Sequence, residues 1–424
     1  MLDLKFVLSN IDLVLNQLKN RNIDTSFLNK IIDLSSCRKE LIFKIEKIRF
    51  RKNNLSDSIP KLKQNQQLDN LFFQKEQIEK MKLKELEKKL KELELNISNI
   101  LYNIPNIYHD SVPIGKGAEN NIEVFRFLEP KKFSFPVRNH VELGKKLDIL
   151  DFDKAITIVG SKFVVLKGLG AKLERSLINF MLDTHVSRGY KEILPPYIVN
   201  ESSVLSSGQL PKFEKELFKL KLDKHNWYLN PTAEVPMINL HRNSIFNFDQ
   251  LPLKYVGYTT CFRQEAGSSG KYIKGILRQK QFNKVELIQF VDPKNSYVVL
   301  EQILKDSENI LRKLNLPYRI VVLSTGELGF SMSKTYDIEV WIPSQKKYVE
   351  IASISNAETF QSRRANIKFI SSKKNKKQYL HTLNGSALAI GRTIMAIMEN
   401  YQDKDGNIIL PEVLHSYLGT HLIK

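Results

Sequence analysis

The sequence predicts an α+β protein in which a domain built on an antiparallel sheet follows a long antiparallel α-helical coiled-coil arm. Apolar residues follow a heptad pattern within the first hundred residues, and short β-rich runs alternate unevenly with helical runs after about residue 109. The length of 424 residues also exceeds what one hydrophobic core usually serves. We therefore expect a helical domain over residues 1–108 and a sheet-containing domain over residues 109–424.

Two periodic segments predict the arm, which we place at about residues 28–100. In the first segment, alternating spacings of three and four define a heptad seam in which Arg38 and Lys52 occupy two slots and apolar residues the others: Ile31, Leu34, Leu41, Ile45, Ile48, Leu55 and Ile59. A second run follows Pro60 and the polar stretch KLKQNQQ: Leu83, Leu86, Leu90, Leu93, Ile97 and Ile100. Two long helices joined by a short polar turn predict an antiparallel hairpin.

The chain is strongly basic. Its 65 Lys and Arg against 46 Asp and Glu give a formal net charge of +19, which indicates an anionic partner such as nucleic acid. Between Lys30 and Ile100 there are 17 Lys or Arg and 11 Asp or Glu, a net charge of +6. Taken alone, this segment equally fits a dimerisation coiled coil or a solvated charged surface. An AT-rich genome would also explain the high Lys content of the whole chain, since such genomes enrich Lys whatever the function.

Several classes of protein are excluded or disfavoured by what the sequence lacks. Two cysteines, Cys37 and Cys261, support neither a disulfide framework nor a Cys-rich zinc site, so we expect a reducing cytoplasm. No run approaches the 18 or so apolar residues of a membrane-spanning helix. The sequence also lacks a P-loop, a GxSxG elbow and an HExxH motif, and no third glycine completes a dinucleotide-binding fingerprint after Gly168 and Gly170.

Beyond Pro105 and the turn-rich residues 109–121, strand-like and helix-like segments alternate unevenly. The β-rich runs are AITIVG, KFVVLKG, NWYLN, YRIVVLS and YDIEVWI, and the helical runs include LERSLINFMLDTHVSRGY and SYVVLEQILKDSENILRKL. Strands reached mostly by hairpins or irregular loops favour an antiparallel sheet over a doubly wound parallel one.

Residues 261–287, CFRQEAGSSGKYIKGILRQKQFNKVEL, predict two strands around a Gly/Ser loop. We place Arg263 and Glu265 at the end of one strand, and Phe282, Lys284 and Glu286 on its partner, where alternating residues share a face. A guanidinium, an aromatic ring and two carboxylates on one face suit a nucleotide and an amino acid bound side by side. An ordinary surface hairpin with charged cross-strand pairs alternates in the same way.

Further segments extend this pattern into a family resemblance. FRQEAGSSG with RQKQFNKVEL resembles motif 2 of a class II aminoacyl-tRNA synthetase (about 255–288), LNGSALAIGRT resembles motif 3 (about 381–400), and GYKEILPPYIV resembles the end of motif 1 (about 172–199). Together with TAE at 232–234, GQLPKF at 208–213, KTYDIEVW at 334–341 and the N-terminal hairpin, the chain is similar over essentially its whole length to the bacterial-type seryl-tRNA synthetases.

The resemblance implies a class II catalytic domain that activates L-serine with ATP and transfers it to the 3′ end of tRNA(Ser); the family commonly also serylates tRNA(Sec). The residues implied as catalytic are Arg263, Arg392 and Glu350. Those implied for ATP are Arg263, Gln264, Glu265, Gln279, Phe282, Glu350, Ile351, Ala352, Ser353 and Arg392. Those implied for serine are Thr232, Ala233, Glu234, Arg263, Glu286, Asn384 and Ser386, and those for Mg²⁺ are Glu350 and Ser353.

The resemblance also assigns partners. The basic coiled-coil arm is expected to bind tRNA(Ser). Lys271 and Lys274, in the motif 2 loop, are expected to contact the acceptor end of that tRNA, and motif 1 is expected to form a homodimer. No membrane partner is expected.

Four positions depart from the family pattern: Lys280 stands where His is expected, Ser269 where an aromatic residue is common, Ala352 where Ser is usual and Glu327 where Asp is more familiar. Lys280 and Ala352 weaken the side-chain assignments at those two positions. Three alternatives remain beside an active enzyme: an inactive synthetase-like tRNA-binding protein, a ligase that loads an amino acid onto a carrier protein, and a coiled-coil scaffold.

Overall fold

The computed structural model describes residues 1–64, 70–222, 224–266, 275–371 and 376–424, and for 55–64, 70–73 and 75 it describes the backbone alone. Ser269, Lys271 and Lys274 lie outside the described residues. The chain divides into two compact units. One comprises residues 2–19 and 23–104, and the other comprises residue 1, residues 20–22 and residues 105–424.

The first unit is helical. Its helices are α1 (Leu4–Ser9), α2 (Ile11–Asn20), α3 (Phe27–Gln64) and α4 (Asn70–Tyr102). Helices α3 and α4 pack against each other, and ion pairs join Arg38 to Glu94 at 2.7 Å and Arg49 to Glu87 at 2.7 Å. Because rising residue numbers on α3 meet falling numbers on α4, the helices are antiparallel, and the predicted hairpin is confirmed.

The seam of this hairpin is apolar where the sequence predicts it: Ile31, Ile45 and Ile97 are buried. Helix α3 extends to Gln64, beyond the end of the heptad run at Ile59. Residues 61–64 are Lys, Leu, Lys and Gln, which are good helix formers, so a polar stretch need not end a helix.

The second unit mixes helices and strands. The helices are α5 (His140–Lys146), α6 (Phe152–Val159), α7 (Gly168–Val186), α8 (Glu201–Ser207), α9 (Glu234–Asn239), α10 (Ser296–Lys313), α11 (Phe360–Ala365), α12 (Ile390–Asn400) and α13 (His415–Leu418). The strands are β1 (Ile122–Phe127), β2 (Leu150–Asp151), β3 (Val165–Leu166), β4 (Lys191–Ile193), β5 (Ile198–Asn200), β6 (Lys219–Leu222), β7 (His225–Leu229), β8 (Ile245–Asn247), β9 (Leu253–Phe262), β10 (Gln281–Val291), β11 (Tyr318–Val322), β12 (Lys334–Ile342), β13 (Lys347–Asn356), β14 (Lys368–Ile370), β15 (Lys377–Tyr379), β16 (His381–Ala389), β17 (Ile408–Ile409) and β18 (Leu422–Ile423).

An eight-stranded sheet organises this unit, with the strand order β1-β11-β12-β13-β16-β10-β9-β4. Its neighbouring strands are antiparallel except β4 and β9, which are parallel. Helices α7, α10 and α12 pack on the sheet and bury the main hydrophobic core. The predicted antiparallel α+β domain is confirmed.

Strands β9 and β10 form the predicted pair around the Gly/Ser loop, with Phe282 opposite Cys261 and Glu286 opposite Gly257. Strand β9 ends at Phe262, so Arg263 and Glu265 lie just beyond the strand and not within it. The Arg263 N–H still donates to the Lys280 carbonyl at 2.8 Å. The backbone then turns at Glu265, which has a φ of 51°. Residues 381–400, which resemble motif 3, form strand β16 and helix α12.

One strand prediction is wrong. The run AITIVG belongs to helix α6, and the strand in KFVVLKG is limited to β3. Asp151 precedes α6, and its side chain accepts a hydrogen bond from the Lys154 N–H at 2.9 Å. An N-cap of this kind stabilises a helix by about 1 kcal/mol, which offsets the weak helix propensity of Ile, Thr and Val.

Candidate active site

A cleft opens over the central strands β10, β13 and β16. It is lined by Arg263, Glu265, Ile276, Leu277, Arg278, Gln279, Phe282, Lys284, Glu350, Ile351, Ser386, Ala389, Gly391 and Arg392. The strands bring these residues together because β10 pairs with β16, and β16 pairs with β13. Eight of the residues that the family resemblance singled out therefore line one cavity.

Arg263 is held in place by its surroundings before any ligand is considered. Its Nε donates to the Pro231 carbonyl at 3.1 Å, and its guanidinium carbon lies 5.2 Å from the centroid of the Phe282 ring. The cation–π contact and the hydrogen bond fix the orientation of the guanidinium. A preorganised positive charge therefore stands at the wall of the cleft.

Arg392 lies in the first turn of α12 and faces β13. Its Nη1 donates to the Glu350 carbonyl at 2.6 Å and lies 3.3 Å from Glu350 Oε2, while Nε is 3.4 Å from the Leu277 carbonyl. About half of the Glu350 side chain (49%) is exposed to solvent. Burial alone would raise the pKa of the Glu350 carboxyl, but the guanidinium groups of Arg392 and Arg263 outweigh it and lower that pKa. Glu350 is therefore a carboxylate, available to a cation.

Two further residues form the opposite wall. The Glu265 carboxylate is 3.6 Å from Arg278 Nη1, and the Glu265 carbonyl accepts a hydrogen bond from Lys162 Nζ at 3.0 Å. Gln279 is buried in the wall, where a Cβ added to Gly391 would lie only 3.2 Å from its Oε1. Gln264 does not line the cleft; its N–H donates to the Glu216 carbonyl at 2.9 Å.

A buried acidic network lies next to Arg263. Thr232 Oγ1 donates to Glu286 Oε2 at 2.5 Å, and the Glu234 N–H donates to the same oxygen at 3.2 Å. Lys284 Nζ donates to Glu286 Oε1 at 2.8 Å. All four residues converge because Thr232 and Glu234 flank the start of α9, which packs on β10. Glu286 therefore has a hydrogen-bonded or ionic partner for both oxygens although it is 1% exposed.

The carboxyl group of Glu234, in this network, has a strongly raised pKa. Burial, then the nearby charge of Glu286, raises its pKa from 4.5 to about 7. Gln361, from α11, donates through Nε2 to Glu234 Oε1 and to the Ser207 carbonyl. Two buried carboxyl groups with different partners therefore stand side by side, an arrangement that suits binding of an amine.

The remaining serine-implied residues differ in position. Ser386 lies opposite Glu286 in the sheet register, is 5% exposed and lines the cleft. Asn384 Oδ1 is buried and has no hydrogen-bond partner among the described residues, so it can accept from a ligand donor. Ala233 is fully buried in an apolar cluster with Met237 and Ile238, and its side chain contributes packing only.

The segment from Glu350 to Ser353 passes from the cleft into the core. Glu350 and Ile351 line the cleft, and Ile351 and Ala352 are both buried in the main hydrophobic core. Ser353 Oγ donates to Asp337 Oδ1 at 2.6 Å. Burial, then the charge of Glu350, raises the pKa of the Asp337 carboxyl.

Three of the four departures from the family pattern lie within the described residues, where the structure shows their surroundings. Lys280 acts through its backbone, because its carbonyl accepts from the Arg263 N–H and its N–H donates to the Lys162 carbonyl, which any residue could do. Glu327 is exposed in a turn. Ala352 is buried in the main hydrophobic core and does not line the cleft. Ser269 lies outside the described residues.

Sequence reasoning did not single out two residues that hold the site together. Gln361 fixes Glu234, and Asp337 fixes Ser353. Lys284, which forms an ion pair with Glu286, lies where its predicted alternation with Phe282 and Glu286 on β10 puts it. Gln361 gives no local signal, because it reaches the site from a helix 127 residues away along the chain.

A second cavity adjoins the first on the side of Glu234. The two share Arg263, Glu265 and Arg278. Residues 207–209, with Phe213 and Phe330, line its far side, so the GQLPKF segment borders the site. Across the described parts of the chain, no helix is both long and apolar enough to cross a membrane.

Comparisons with known proteins agree with this geometry. Residues 218–401 match the tRNA synthetase class II core domain (G, H, P, S and T), and residues 1–108 match the seryl-tRNA synthetase N-terminal domain. The serine–tRNA ligase of Phytoplasma mali (strain AT) is 54% identical over 424 residues, which is 100% of both chains. That of Thermodesulfovibrio yellowstonii is 49% identical over 428 residues, with 100% of each chain covered.

Solved structures give the same result. The seryl-tRNA synthetase from Pyrococcus horikoshii complexed with ATP superposes with a TM-score of 0.92 at 33% identity, covering 100% of this chain and 99% of that one. The cytoplasmic serine–tRNA ligase from Naegleria fowleri in complex with AMP has a TM-score of 0.87 at 28% identity, with the same coverage.

Proposed function

Since this chain belongs to the seryl-tRNA synthetase family, we propose that it activates L-serine with ATP to form seryl-adenylate and then transfers serine to the 3′ end of tRNA(Ser). The observation that carries the proposal is the convergence of Arg263, Arg392 and Glu350 on one cleft, beside the buried network of Thr232, Glu234 and Glu286. The cleft offers cations to phosphates, and the network offers carboxylates to an ammonium group.

In the first step a serine carboxylate oxygen attacks the α-phosphorus of ATP, the bond to the bridging oxygen breaks, and pyrophosphate leaves. Negative charge grows on the phosphoryl oxygens, so the step needs fixed positive charge more than a general base. Arg263 supplies that charge from a position already set by Pro231 and Phe282. Its fixed orientation avoids reorganisation during the reaction.

Phe282 and Arg392 would hold the nucleotide. Phe282 offers a ring face to the adenine, and the Arg392 guanidinium would cover the opposite face and bind the γ-phosphate. Glu265 would accept from the adenine amino group. Gln279 and Gly391 form a wall without bulky side chains at this end of the cleft.

The residues present fit Mg²⁺. Glu350 is a partly exposed carboxylate, and Ser353 keeps lone pairs on Oγ while its proton points to Asp337. Oxygen ligands from one or two side chains, completed by substrate phosphates, are typical of this cation. When bound, Mg²⁺ neutralises phosphate charge; Glu350 and Ser353 would hold it.

Selection of serine would rest on the buried network. Glu234 and Thr232 would meet the amine, and Glu286, Ser386 and Asn384 would surround the side-chain hydroxyl. A pocket whose buried polar groups need a hydroxyl partner leaves them unpaired when alanine enters, which costs up to a factor on the order of 10⁴. Threonine must instead be excluded by the space available.

In the second step a hydroxyl of the terminal ribose attacks the serine carbonyl carbon and AMP leaves. The cavity that adjoins Glu234 and Arg263 gives the tRNA end room beside that carbon. The net positive hairpin of α3 and α4 would contact tRNA phosphates, and tRNA(Sec) would be accepted through the same contacts. We place the enzyme in the cytoplasm as a homodimer formed through motif 1.

ATP–pyrophosphate exchange tests the activity. We expect exchange with serine, and far weaker exchange with alanine, threonine or cysteine. Arg392→Ala should abolish it, whereas Arg126→Ala, which removes an exposed ion pair with Glu123, should not change it. Absence of serine-dependent exchange in the wild type would rule out the proposal.

A further inference from the structure

A buried histidine connects α12 to the wall of the ATP cleft. His140 is the first residue of α5 and is 3% exposed. Its Nδ1 lies 2.8 Å from Glu399 Oε1, and the Ile276 N–H donates to its Nε2 at 3.3 Å. Because Nε2 accepts a hydrogen bond, the ring proton sits on Nδ1 and is donated to Glu399. Both ring nitrogens are therefore engaged in hydrogen bonds.

Glu399 anchors this histidine firmly. Its side chain is fully buried near the end of α12, and Oε1 also accepts from the His140 N–H at 3.0 Å. Its Oε2 accepts from the Ser344 N–H at 3.0 Å. Three donors from two other segments hold the carboxylate in one orientation. The helix that carries Arg392 thus also fixes the position of the imidazole.

On its other side, the histidine fixes the point where the chain returns from the Gly/Ser loop. Gly275 has a φ of 83°, and a Cβ added there would lie 1.9 Å from His140 Nε2. Only glycine permits so close an approach and this backbone conformation. Ile276, Leu277 and Gln279 follow at once and line the cleft.

A second contact from α12 reaches the same segment. Arg392 Nε lies 3.4 Å from the Leu277 carbonyl, one residue after the N–H that His140 accepts. Arg392 is also assigned to the nucleotide, whereas the bond from His140 to the Ile276 N–H involves no group assigned to a ligand.

We infer that His140 is a positioning residue for ATP binding: through Glu399 and the Ile276 N–H, it holds residues 275–279 against the nucleotide cleft. This inference rests on the proposed ATP-dependent function. It assigns no contact between His140 and ATP.

Two substitutions separate the two bonds of the ring. In His140→Gln the amide oxygen can occupy the place of Nε2 and accept from Ile276, whereas in His140→Asn the amide nitrogen can occupy the place of Nδ1 and reach only Glu399. We expect the dissociation constant of ATP, measured by titration calorimetry on the full chain with Mg²⁺, to rise about tenfold in His140→Asn and less than about threefold in His140→Gln. The KM for serine should change in neither.

His185→Asn is the control for loss of a buried histidine, since His185 is fully buried and neither ring nitrogen has a hydrogen-bond partner in the described chain. It should lower the thermal midpoint without changing ATP affinity. Wild-type ATP affinity in both His140 variants, or equal losses of affinity and midpoint in both, would overturn the inference.

If His140→Asn does not fold, Gly275→Ala tests the same bond from the other side. The added methyl group would lie 1.9 Å from His140 Nε2, so the ring and the backbone at 275 and 276 must move apart. ATP should then bind about tenfold more weakly, and unchanged affinity would contradict the inference. These affinities decide the role of His140 even if serine-dependent exchange fails, which would refute only the proposed function.

Discussion

Replacing Glu234 by Gln should make the protein more stable at neutral pH and a poorer enzyme. The carboxyl of Glu234 has a pKa raised from 4.5 to about 7 by burial and by the charge of Glu286. Between those two pH values the folded protein holds a proton that the unfolded chain has released. The free energy of unfolding therefore falls as pH rises from 4.5 through 7 and is level above that.

The magnitude follows from the size of the pKa shift. At about 1.4 kcal/mol per pKa unit, the shift from 4.5 to about 7 corresponds to about 3 kcal/mol lost above pH 7. Glu234→Gln has no proton to release and keeps an oxygen for Gln361. Its thermal midpoint should exceed that of the wild type by several degrees at pH 8, and by little near pH 5.

Serine binding should change in the opposite direction. The ammonium group of serine needs the ionised carboxylate, so the KM for serine in the wild type should fall as pH rises through about 7. In Glu234→Gln the KM should be roughly 10- to 100-fold higher at pH 8 and nearly independent of pH, because a charge-assisted hydrogen bond is lost.

Thermal midpoints and exchange kinetics from pH 5 to 8 provide the assay, with Glu327→Gln as a control in which an exposed carboxyl is replaced. A midpoint difference that stays constant across this range would refute the reasoning, because it would mean that Glu234 binds no extra proton in the folded state.

Three other predictions follow from the same geometry. Phe282→Ala should raise the KM for ATP about 10- to 100-fold and leave the KM for serine nearly unchanged, whereas Phe282→Tyr should leave both KM values nearly unchanged. An unchanged KM for ATP in both variants would exclude stacking of adenine on this ring. Lys284→Met leaves Glu286 buried and without its cation, so the thermal midpoint measured by calorimetry should drop by an amount corresponding to roughly 3–5 kcal/mol. Lys284→Arg should restore most of this loss, and a wild-type midpoint in Lys284→Met would contradict this account. Deleting residues 28–100 should preserve serine-dependent exchange and abolish charging of tRNA(Ser), which in the intact chain should weaken steeply with salt; joint loss of both activities would assign the hairpin to folding or dimerisation.

Much of this protein could be predicted from local patterns. Heptad spacing gave the antiparallel hairpin, because apolar residues at that period must face a partner helix. Alternation around the Gly/Ser loop gave the strand pair β9 and β10 and put Phe282, Lys284 and Glu286 on one face. The failure at AITIVG has the opposite cause: an N-cap bond from Asp151 decided the conformation where the residue types favoured a strand.

The sequence by itself therefore determined the kinds of the strongly periodic elements, such as the hairpin helices and the pair β9 and β10, and the residues that carry charge and aromatic rings. Only the tertiary structure decided their chemical state and their partners. Glu234 acquires its raised pKa because folding buries it beside Glu286, with Gln361 arriving from 127 residues away. His140 meets Glu399 across 259 residues. Contacts over such separations depend on how whole elements pack, and neither spacing nor composition encodes them locally.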